Sequence, residues 1–263
     1  MYSFELKKAD SVANAAALLA QSGGKALAGG QSLVAAMKMR LAQPNTLVDL
    51  SGVPEMKGIR REGDSIVIGA MVRHAEVAAS KAVQEAIPAL ATLAEGIGDR
   101  QVRNMGTIGG SLANNDPAAC YPAAVLALGA TVHTNKRKIA ADDFFKGMYE
   151  TALADAELIT SVSFPIPKKA AYMKFVQPAS RFALVGVFVA QGASGVRVAV
   201  TGAASSVFRA KPLEDALTKS FTADAAKAVK MDASGLNNDL HGSPAYRAHL
   251  ISVMASRAVS AAG

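Results

Sequence analysis

In the first two thirds of the chain, short apolar runs alternate with segments of helical composition. Such alternation predicts mixed helix and strand structure. The first helix is expected at residues 11–21, with Asp10 or Ser11 as its N-cap and the Gly23–Gly24 pair as its stop. The other predicted helices are 32–41, 73–80, 82–94 with a kink or boundary at Pro88, and 122–128. The predicted strands are 25–28, 46–50, 65–69, 130–134 and 157–164.

Between these elements, residues 96–110 are rich in glycine and polar side chains and are expected to form a long functional loop. A proline- and lysine-rich linker is expected at 165–169, after which the pattern changes. Three strands (172–176, 183–191, 195–201) precede three helices (211–217, 223–231, 245–258). Residues 183–189 lack strict alternation, so this strand is expected to be central and buried on both faces. The last helix has Ser243 as its predicted N-cap and Pro244 at its first position. The whole pattern predicts an α+β fold.

Composition narrows the class of protein. The 263 residues are 51% apolar and only 19% charged, and the net charge is +7. Because the basic residues are scattered and aromatics make up only 5%, we expect no nucleic-acid partner. No apolar run approaches the ~20 residues that a transmembrane helix needs. Acidic residues precede any apolar run at the N-terminus, which is unlike a signal peptide, so a cytoplasmic location is expected.

Cysteine and histidine content argues against a metal centre in this chain. The single cysteine, Cys120, cannot form an intrachain disulfide and cannot ligate an iron–sulfur cluster that needs four thiolates. The four histidines are widely spaced without a metal-ligand pattern, and we expect them to be surface or hydrogen-bonded residues. No metal site and no catalytic acid, base or nucleophile is predicted.

Two similar glycine turns carry the candidate chemistry. Residues 28–32 read AGGQS and residues 107–111 read TIGGS; we call them the first and the second glycine corner. Paired glycines allow close approach of a ligand, and consecutive free amides can form an anion-binding nest. Two such nests could hold a pyrophosphate, although each corner could equally be an ordinary strand-to-helix turn. The nucleotide signatures G-x-G-x-x-G and G-x-x-x-x-G-K-[ST] are absent.

Five longer segments resemble a known family. They are LAGGQSLVAAMKMRLAQPNTLVDLSGV (27–53), IGAMVRHAEV (68–77), IGDRQVRNMGTIGGSLANNDPAA (97–119), AELITSVSFP (156–165) and TGAASSVFRAKPLEDAL (201–217). In this order they are similar to the FAD-binding medium subunit of molybdenum hydroxylases, the carbon monoxide dehydrogenase and xanthine dehydrogenase group. The resemblance covers essentially the whole chain.

The resemblance implies a fold. A two-lobed FAD-binding domain of the vanillyl-alcohol oxidase-like type is expected at 1–165, with lobes at about 1–54 and 55–165. A small α/β C-terminal domain with a three-stranded antiparallel sheet and helices is expected at 170–263.

The resemblance also implies positions for a non-covalent FAD between the lobes. Residues 27–33 would wrap the pyrophosphate and the adenine side, the second glycine corner would hold the other phosphate face, and Ile97 and Gly98 would line the flavin end. Ile159 and Lys174 would approach the cofactor, although Ile159 could be plain core and Lys174 a solvated lysine. The implied cofactor-binding residues are Leu27, Ala28, Gly29, Gly30, Gln31, Ser32, Leu33, Ile97, Gly98, Thr107, Gly109, Gly110, Ser111, Asp116, Ile159 and Lys174.

One position departs from the family pattern. The family often has an acid where Cys120 stands, and that acid is expected to reach the ribityl chain. Because a thiol is a weak hydrogen-bond partner, the contact is either lost or taken by Asn115 or Asp116. We favour a buried, unreactive Cys120.

The implied role is electron relay. A molybdopterin-binding large subunit would oxidise the substrate, 2Fe–2S clusters of a small subunit would carry the electrons to this chain, and its FAD would reduce an external acceptor. The complex would be a dimer of heterotrimers. A stand-alone flavin oxidase or reductase of the same fold, and a binding module without flavin, are the alternatives.

Overall fold

The computed structural model describes residues 1–193 and 195–262. Near the N-terminus, three parallel strands form a sheet in the order β1-β3-β2. Helix α1 follows β1, and helix α2 follows β2. The elements are β1 Glu5–Lys8, α1 Val12–Ser22, β2 Lys25–Leu27, α2 Leu33–Lys38 and β3 Thr46–Asp49. The edge strand β1 was not predicted, because its sequence ELKK has no apolar alternation.

The caps predicted for the first helix are confirmed. The Ser11 side chain accepts a hydrogen bond from the Asn14 amide at 3.2 Å. Gly23 ends the helix in the left-handed conformation with φ 60°, which glycine adopts without steric cost.

A second sheet has five antiparallel strands in the order β4-β5-β10-β6-β7. Six helices lie between β5 and β6 in sequence. The strands are β4 Ile59–Glu62, β5 Ser65–Gly69, β6 Thr131–Thr134, β7 Lys138–Ala140 and β10 Ile159–Pro165. The helices are α3 His74–Ala79, α4 Lys81–Ala86, α5 Pro88–Glu95, α6 Arg100–Met105, α7 Ile108–Asn114 and α8 Tyr121–Ala127. Between β7 and β10 lie α9 Ala141–Phe144 and a hairpin of β8 Phe145–Gly147 and β9 Glu150–Thr151.

The long loop predicted at 96–110 is wrong for most of its length, because the segment contains α6 and the start of α7. Side chains cap both helices. Asp99 Oδ1 accepts from the Val102 amide at 2.8 Å, and Thr107 Oγ1 accepts from the Gly110 amide at 3.1 Å. These caps outweigh the glycine-rich composition. The boundary predicted at Pro88 is confirmed, since α5 begins there.

The C-terminal part has a four-stranded antiparallel sheet in the order β11-β12-β13-β14, not the predicted three strands. The fourth strand has only two residues, too few to leave a pattern. Bounds are β11 Lys169–Val176, β12 Ala183–Gly192, β13 Gly195–Thr201, β14 Phe208–Arg209, α10 Lys211–Lys219, α11 Ala223–Ala228 and α12 Pro244–Ala261. Ser243 caps α12, as predicted, by accepting from the Tyr246 amide at 3.3 Å. The predicted linker is shorter than expected, since β10 ends at Pro165 and β11 begins at Lys169.

Strand β12 is buried on both faces, as its sequence predicts. Val185, Val187 and Val189 pack in one cluster with residues of α12. Phe188 and Ala190 belong to the large cluster formed with the five-stranded sheet and its helices. The C-terminal sheet is therefore packed between α12 and the N-terminal part of the chain. No helix in the described residues is long and apolar enough to cross a membrane.

A buried carboxylate secures the β6–β7 turn. Glu157 accepts hydrogen bonds from Arg137 Nε at 3.0 Å, Thr134 Oγ1 at 2.7 Å and the Ala154 amide at 2.9 Å. The Arg137 hydrogen bonds lower the pKa of Glu157 to about 2, and burial opposes them only in part.

We expect this group to make stability pH-dependent at acidic pH. Because its folded pKa is depressed, the stabilisation is complete above the unfolded value of about 4.3 and is lost as the pH falls to about 2. Glu157→Gln should lower the free energy of unfolding at pH 7 by about 1–2 kcal/mol, since Arg137 is half exposed. Urea denaturation between pH 7 and pH 2 measures this. Glu85→Gln, at an exposed position, is the control, and an equal pH slope in both variants would contradict the assignment.

Candidate cofactor site at the two glycine corners

The first glycine corner connects β2 to α2 and presents a row of unused amides. Gly30 has φ 71°, a conformation that favours glycine. None of the amides of residues 28–33 donates to a backbone acceptor in the described part of the chain, and the first amide of α2 that does so is that of Val34, bonded to the Gly30 carbonyl at 3.0 Å. Gln31 and Ser32 are exposed. This corner therefore has the donors of an anion-binding nest.

The second glycine corner differs, because the amides of residues 108–111 are already bonded within the protein. The Ile108 amide donates to the Val72 carbonyl at 3.0 Å, and the Gly109 amide donates to the Ala70 carbonyl at 2.9 Å. The Gly110 amide donates to Thr107 Oγ1, and the Ser111 amide donates to the Thr107 carbonyl at 3.0 Å. The expectation that both corners are nests of free amides is wrong for this one. Its accessible polar group is the side chain of the half-buried Ser111.

The first glycine corner packs against the second corner and against Met105 and Gly106, the two residues that precede it. A methyl group built on Gly29 would overlap the Met105 carbonyl oxygen and lie 2.7 Å from the Gly106 Cα. A methyl group on Gly110 would lie 3.5 Å from the Ala28 Cβ. Segments about 80 residues apart in sequence thus form one site, and glycine at position 29 is required for that approach.

Ile97 and Gly98 lie in the turn before α6. Gly98 has φ 51°, and the half-buried Ile97 packs against the large core cluster. Arg103 holds the turn by donating from Nη1 to the Ile97 carbonyl at 3.0 Å and to the Gly98 carbonyl at 3.3 Å. Its other terminal nitrogen pairs with Glu95 at 3.3 Å. The turn is therefore a fixed element of the site.

Asp116 follows α7 and contacts the β8–β9 hairpin. Its Oδ1 accepts from the Ala118 amide at 2.8 Å, and its Oδ2 lies 3.3 Å from the Tyr149 hydroxyl. The buried Asn115 donates from Nδ2 to the carbonyls of Gly147 at 2.8 Å and Glu150 at 2.9 Å. The tip of the hairpin is thus fixed beside the end of α7. Sequence reasoning missed Tyr149, for which no motif gave a signal.

Lys174 reaches from β11 to the N-terminal part of the chain. Its Nζ lies 2.6 Å from the Gly96 carbonyl oxygen, 3.2 Å from the Arg181 carbonyl oxygen and 3.6 Å from Cys120 Sγ. These three acceptors use all three donors of the ammonium. Lys174 is therefore a bridging residue and not the solvated lysine considered from the sequence.

Ile159 is a core residue of β10, one position before Thr160, whose carbonyl accepts from the Ala70 amide at 2.9 Å. It is 5% exposed in β10 and packs in the large core cluster. Cys120 is buried, as expected. The remaining predicted residues, Leu27 and Leu33, are half-buried at the two ends of the first glycine corner.

His74 is a buried residue of this region that the sequence reasoning misjudged. Its amide donates to the Gly106 carbonyl at 2.9 Å, and a methyl group on Gly106 would lie 2.6 Å from its Nε2. Its Nδ1 is buried and has no hydrogen-bond partner in the described residues. Burial, and to a lesser extent the charge of Arg103, lowers the pKa of His74 to about 4. At neutral pH the imidazole that packs against Gly106, the residue before the second glycine corner, is therefore uncharged.

Comparison with known proteins gives two family matches that together span nearly the whole chain. Residues 2–167 match the FAD binding domain in molybdopterin dehydrogenase, and residues 170–262 match the CO dehydrogenase flavoprotein C-terminal domain. The carbon monoxide dehydrogenase medium chain of Hydrogenophaga pseudoflava is 36% identical, covering 98% of this chain and 96% of its own length. The nicotine 6-hydroxylase medium subunit of Paenarthrobacter nicotinovorans is 38% identical over 91% of this chain and 89% of its own.

The fold is also similar to that of solved structures. A chain of the reconstituted CO dehydrogenase from Oligotropha carboxidovorans superimposes with a TM-score of 0.90 at 32% identity, covering 99% of this chain and 98% of that chain. The free amides of the first glycine corner and the close approach of backbone that Gly29 allows suit the diphosphate of a dinucleotide cofactor. The chain therefore belongs to the FAD-binding medium subunits of molybdenum hydroxylases, a family of oxidoreductase subunits whose cofactor is FAD.

Proposed function

We propose that this chain is the electron-transfer subunit of a molybdenum hydroxylase complex. It takes electrons from 2Fe–2S clusters of a small partner subunit and passes them through FAD to an external acceptor, after a molybdopterin-binding large subunit has oxidised the substrate. The observation that carries the proposal is the row of free amides at residues 28–33, facing a second corner across a glycine-only contact. Family membership over nearly the full length supports the rest.

The cofactor would be held mainly by backbone. Residues 27–33 would bind the diphosphate and adenine side with unused amides and with the side chains of Gln31 and Ser32. At the second corner, the Ser111 hydroxyl and the half-buried backbone of Gly110 would complete the diphosphate site, because the amides of residues 108–111 are occupied. Ile97 and Gly98 would border the flavin, with Asp116 nearby. The assignments of Thr107, Gly109, Ile159 and Lys174 rest on the family resemblance alone.

The division of labour follows from these residues. Bound FAD supplies two-electron chemistry that amino-acid side chains cannot provide. The chain binds and orients it, and the Arg103 contacts keep the flavin-side turn in one conformation. A single cysteine cannot ligate a four-thiolate cluster, so the electrons come from another polypeptide.

Further features of the proposal follow the family. The FAD-binding domain of vanillyl-alcohol oxidase-like type would span residues 1–165, with lobes divided near residue 54, and the C-terminal domain would span 170–263. Assembly as a dimer of heterotrimers in the cytoplasm is proposed on the same basis.

A charge placed in the first glycine corner should weaken FAD binding. Ser32→Asp sets a carboxylate beside the free amides, where it competes with the diphosphate and repels it. Ser32→Asn is the matched neutral control, because Asn and Asp are comparable N-cap residues for α2. We expect the Asp variant to bind FAD at least about ten-fold more weakly than the Asn variant, roughly 1.4 kcal/mol, by titration of flavin fluorescence. Equal affinities would place the diphosphate elsewhere.

The relay role predicts dependence on partner chains. When a tagged form is purified from the cells that produce it natively, we expect two further chains to co-purify, one with molybdenum and one with iron and sulfide. The substrate of the complex should reduce the flavin, and so remove its visible absorbance band, in the complex but not in the isolated FAD-loaded chain. Turnover of an organic donor by the isolated chain would instead indicate a stand-alone oxidase or reductase.

A further inference from the structure

Lys174 joins three separate segments at the flavin end of the proposed site. Its ammonium donates to the Gly96 carbonyl before α6, to the Arg181 carbonyl in the β11–β12 connection and to the Cys120 thiol at the start of α8. Strand alternation places it there: Tyr172, two residues earlier, packs into the large core cluster, whereas the intervening Met173 packs against the α12 side. The half-buried Lys174 thus faces the N-terminal part of the chain.

None of the three acceptors of this ammonium is a carboxylate. Two are backbone carbonyls, and the third is a thiol, which is a weak acceptor. No salt bridge within 4 Å joins Lys174 to an acidic side chain of the described residues. Glu95, the residue before Gly96, forms its salt bridge with Arg103 instead.

The Tyr172 phenol beside Cys120 does not supply a negative charge either. Burial, with Cys120 as a secondary cause, raises the pKa of the Tyr172 phenol well above its usual value. Tyr172 therefore stays neutral, and the positive charge of Lys174 is balanced neither by the acceptors of its ammonium nor by this phenol.

We propose that Cys120 leaves the positive charge of Lys174 uncompensated, and that this charge favours the reduced form of the bound flavin. The inference rests on the proposed function, which sets Ile97 and Gly98, directly after Gly96, at the flavin end. Reduction of FAD takes up two electrons and one proton from the relay and the solvent and leaves one negative charge on the ring. A half-buried cation is screened less than a surface one and stabilises that charge. Lys174 is thus a positioning residue that tunes the redox potential through its charge, while its ammonium hydrogen-bonds to protein atoms.

The test compares the midpoint potential of FAD bound to four forms of the full chain. Cys120→Asp gives Lys174 a carboxylate partner, and Cys120→Asn is the neutral variant of the same shape. Lys174→Met removes the charge, and the wild type is the reference. We expect Cys120→Asp to lower the potential relative to Cys120→Asn, so that the affinity ratio of reduced to oxidised FAD falls at least about ten-fold. Lys174→Met should shift the ratio in the same direction.

The outcomes separate this inference from the proposed function. If the wild-type chain takes up no FAD, the proposed function itself fails. Suppose that all variants bind FAD with unchanged stoichiometry and melting temperature. If the midpoint potentials of Cys120→Asp and Cys120→Asn are then equal, and that of Lys174→Met equals the wild-type value, Lys174 is only a structural link and the inference is overturned. A lower thermal stability of Cys120→Asp without a change in potential, relative to Cys120→Asn, would overturn it equally.

Discussion

The proposed site forms because the first glycine corner packs closely against the segment that leads into the second corner. Gly29 lies against the Met105 carbonyl and the Gly106 Cα, in a space that admits no side chain. This contact connects the three-stranded parallel sheet, through the turn after β2, with the helices beside the five-stranded sheet. It sets the amides of residues 28–33, which have no acceptor among the described residues, opposite residues 108–111, whose amides donate within the protein. In the proposed site the two corners therefore differ in role: the first supplies hydrogen-bond donors for an anion, and the second supplies a rigid surface.

Rigidity at the opposite end of the site comes from side chains that bind backbone carbonyls. Arg103 bonds the Ile97 and Gly98 carbonyls, and Lys174 bonds those of Gly96 and Arg181. Lys174 belongs to the C-terminal sheet, so the flavin-side turn is also held by the part of the chain that follows Pro165. The alternation of β11 and β12, with one face toward α12 and the other toward the N-terminal part, makes that reach possible. The same lysine has no carboxylate partner among the described residues, and through this charge the proposal links the packing of the two parts to the redox potential of the cofactor.

Local signals in the sequence were sufficient to predict many helices and strands, but not how these elements pack together. Ser11, Gly23, Pro88 and Ser243 act within one turn of their own positions, so their caps and breaks could be predicted. The edge strand β1 and the two-residue β14 are formed by pairing with distant strands, and their own sequences carry little pattern. The glycine corners were found by composition, but whether their amides are free depends on Ala70 and Val72, which approach the second corner from the end of β5. His74 was not recognised as a residue of this region for the same reason.

In the proposed site, amides of residues 28–33 bind the FAD diphosphate. Amide hydrogen exchange of the chain with and without saturating FAD tests it directly. We expect fast exchange of these amides in the free chain and strong protection on FAD binding, while the amides of residues 108–111 are already protected without the cofactor. Unchanged exchange at residues 28–33 when FAD is bound would contradict it.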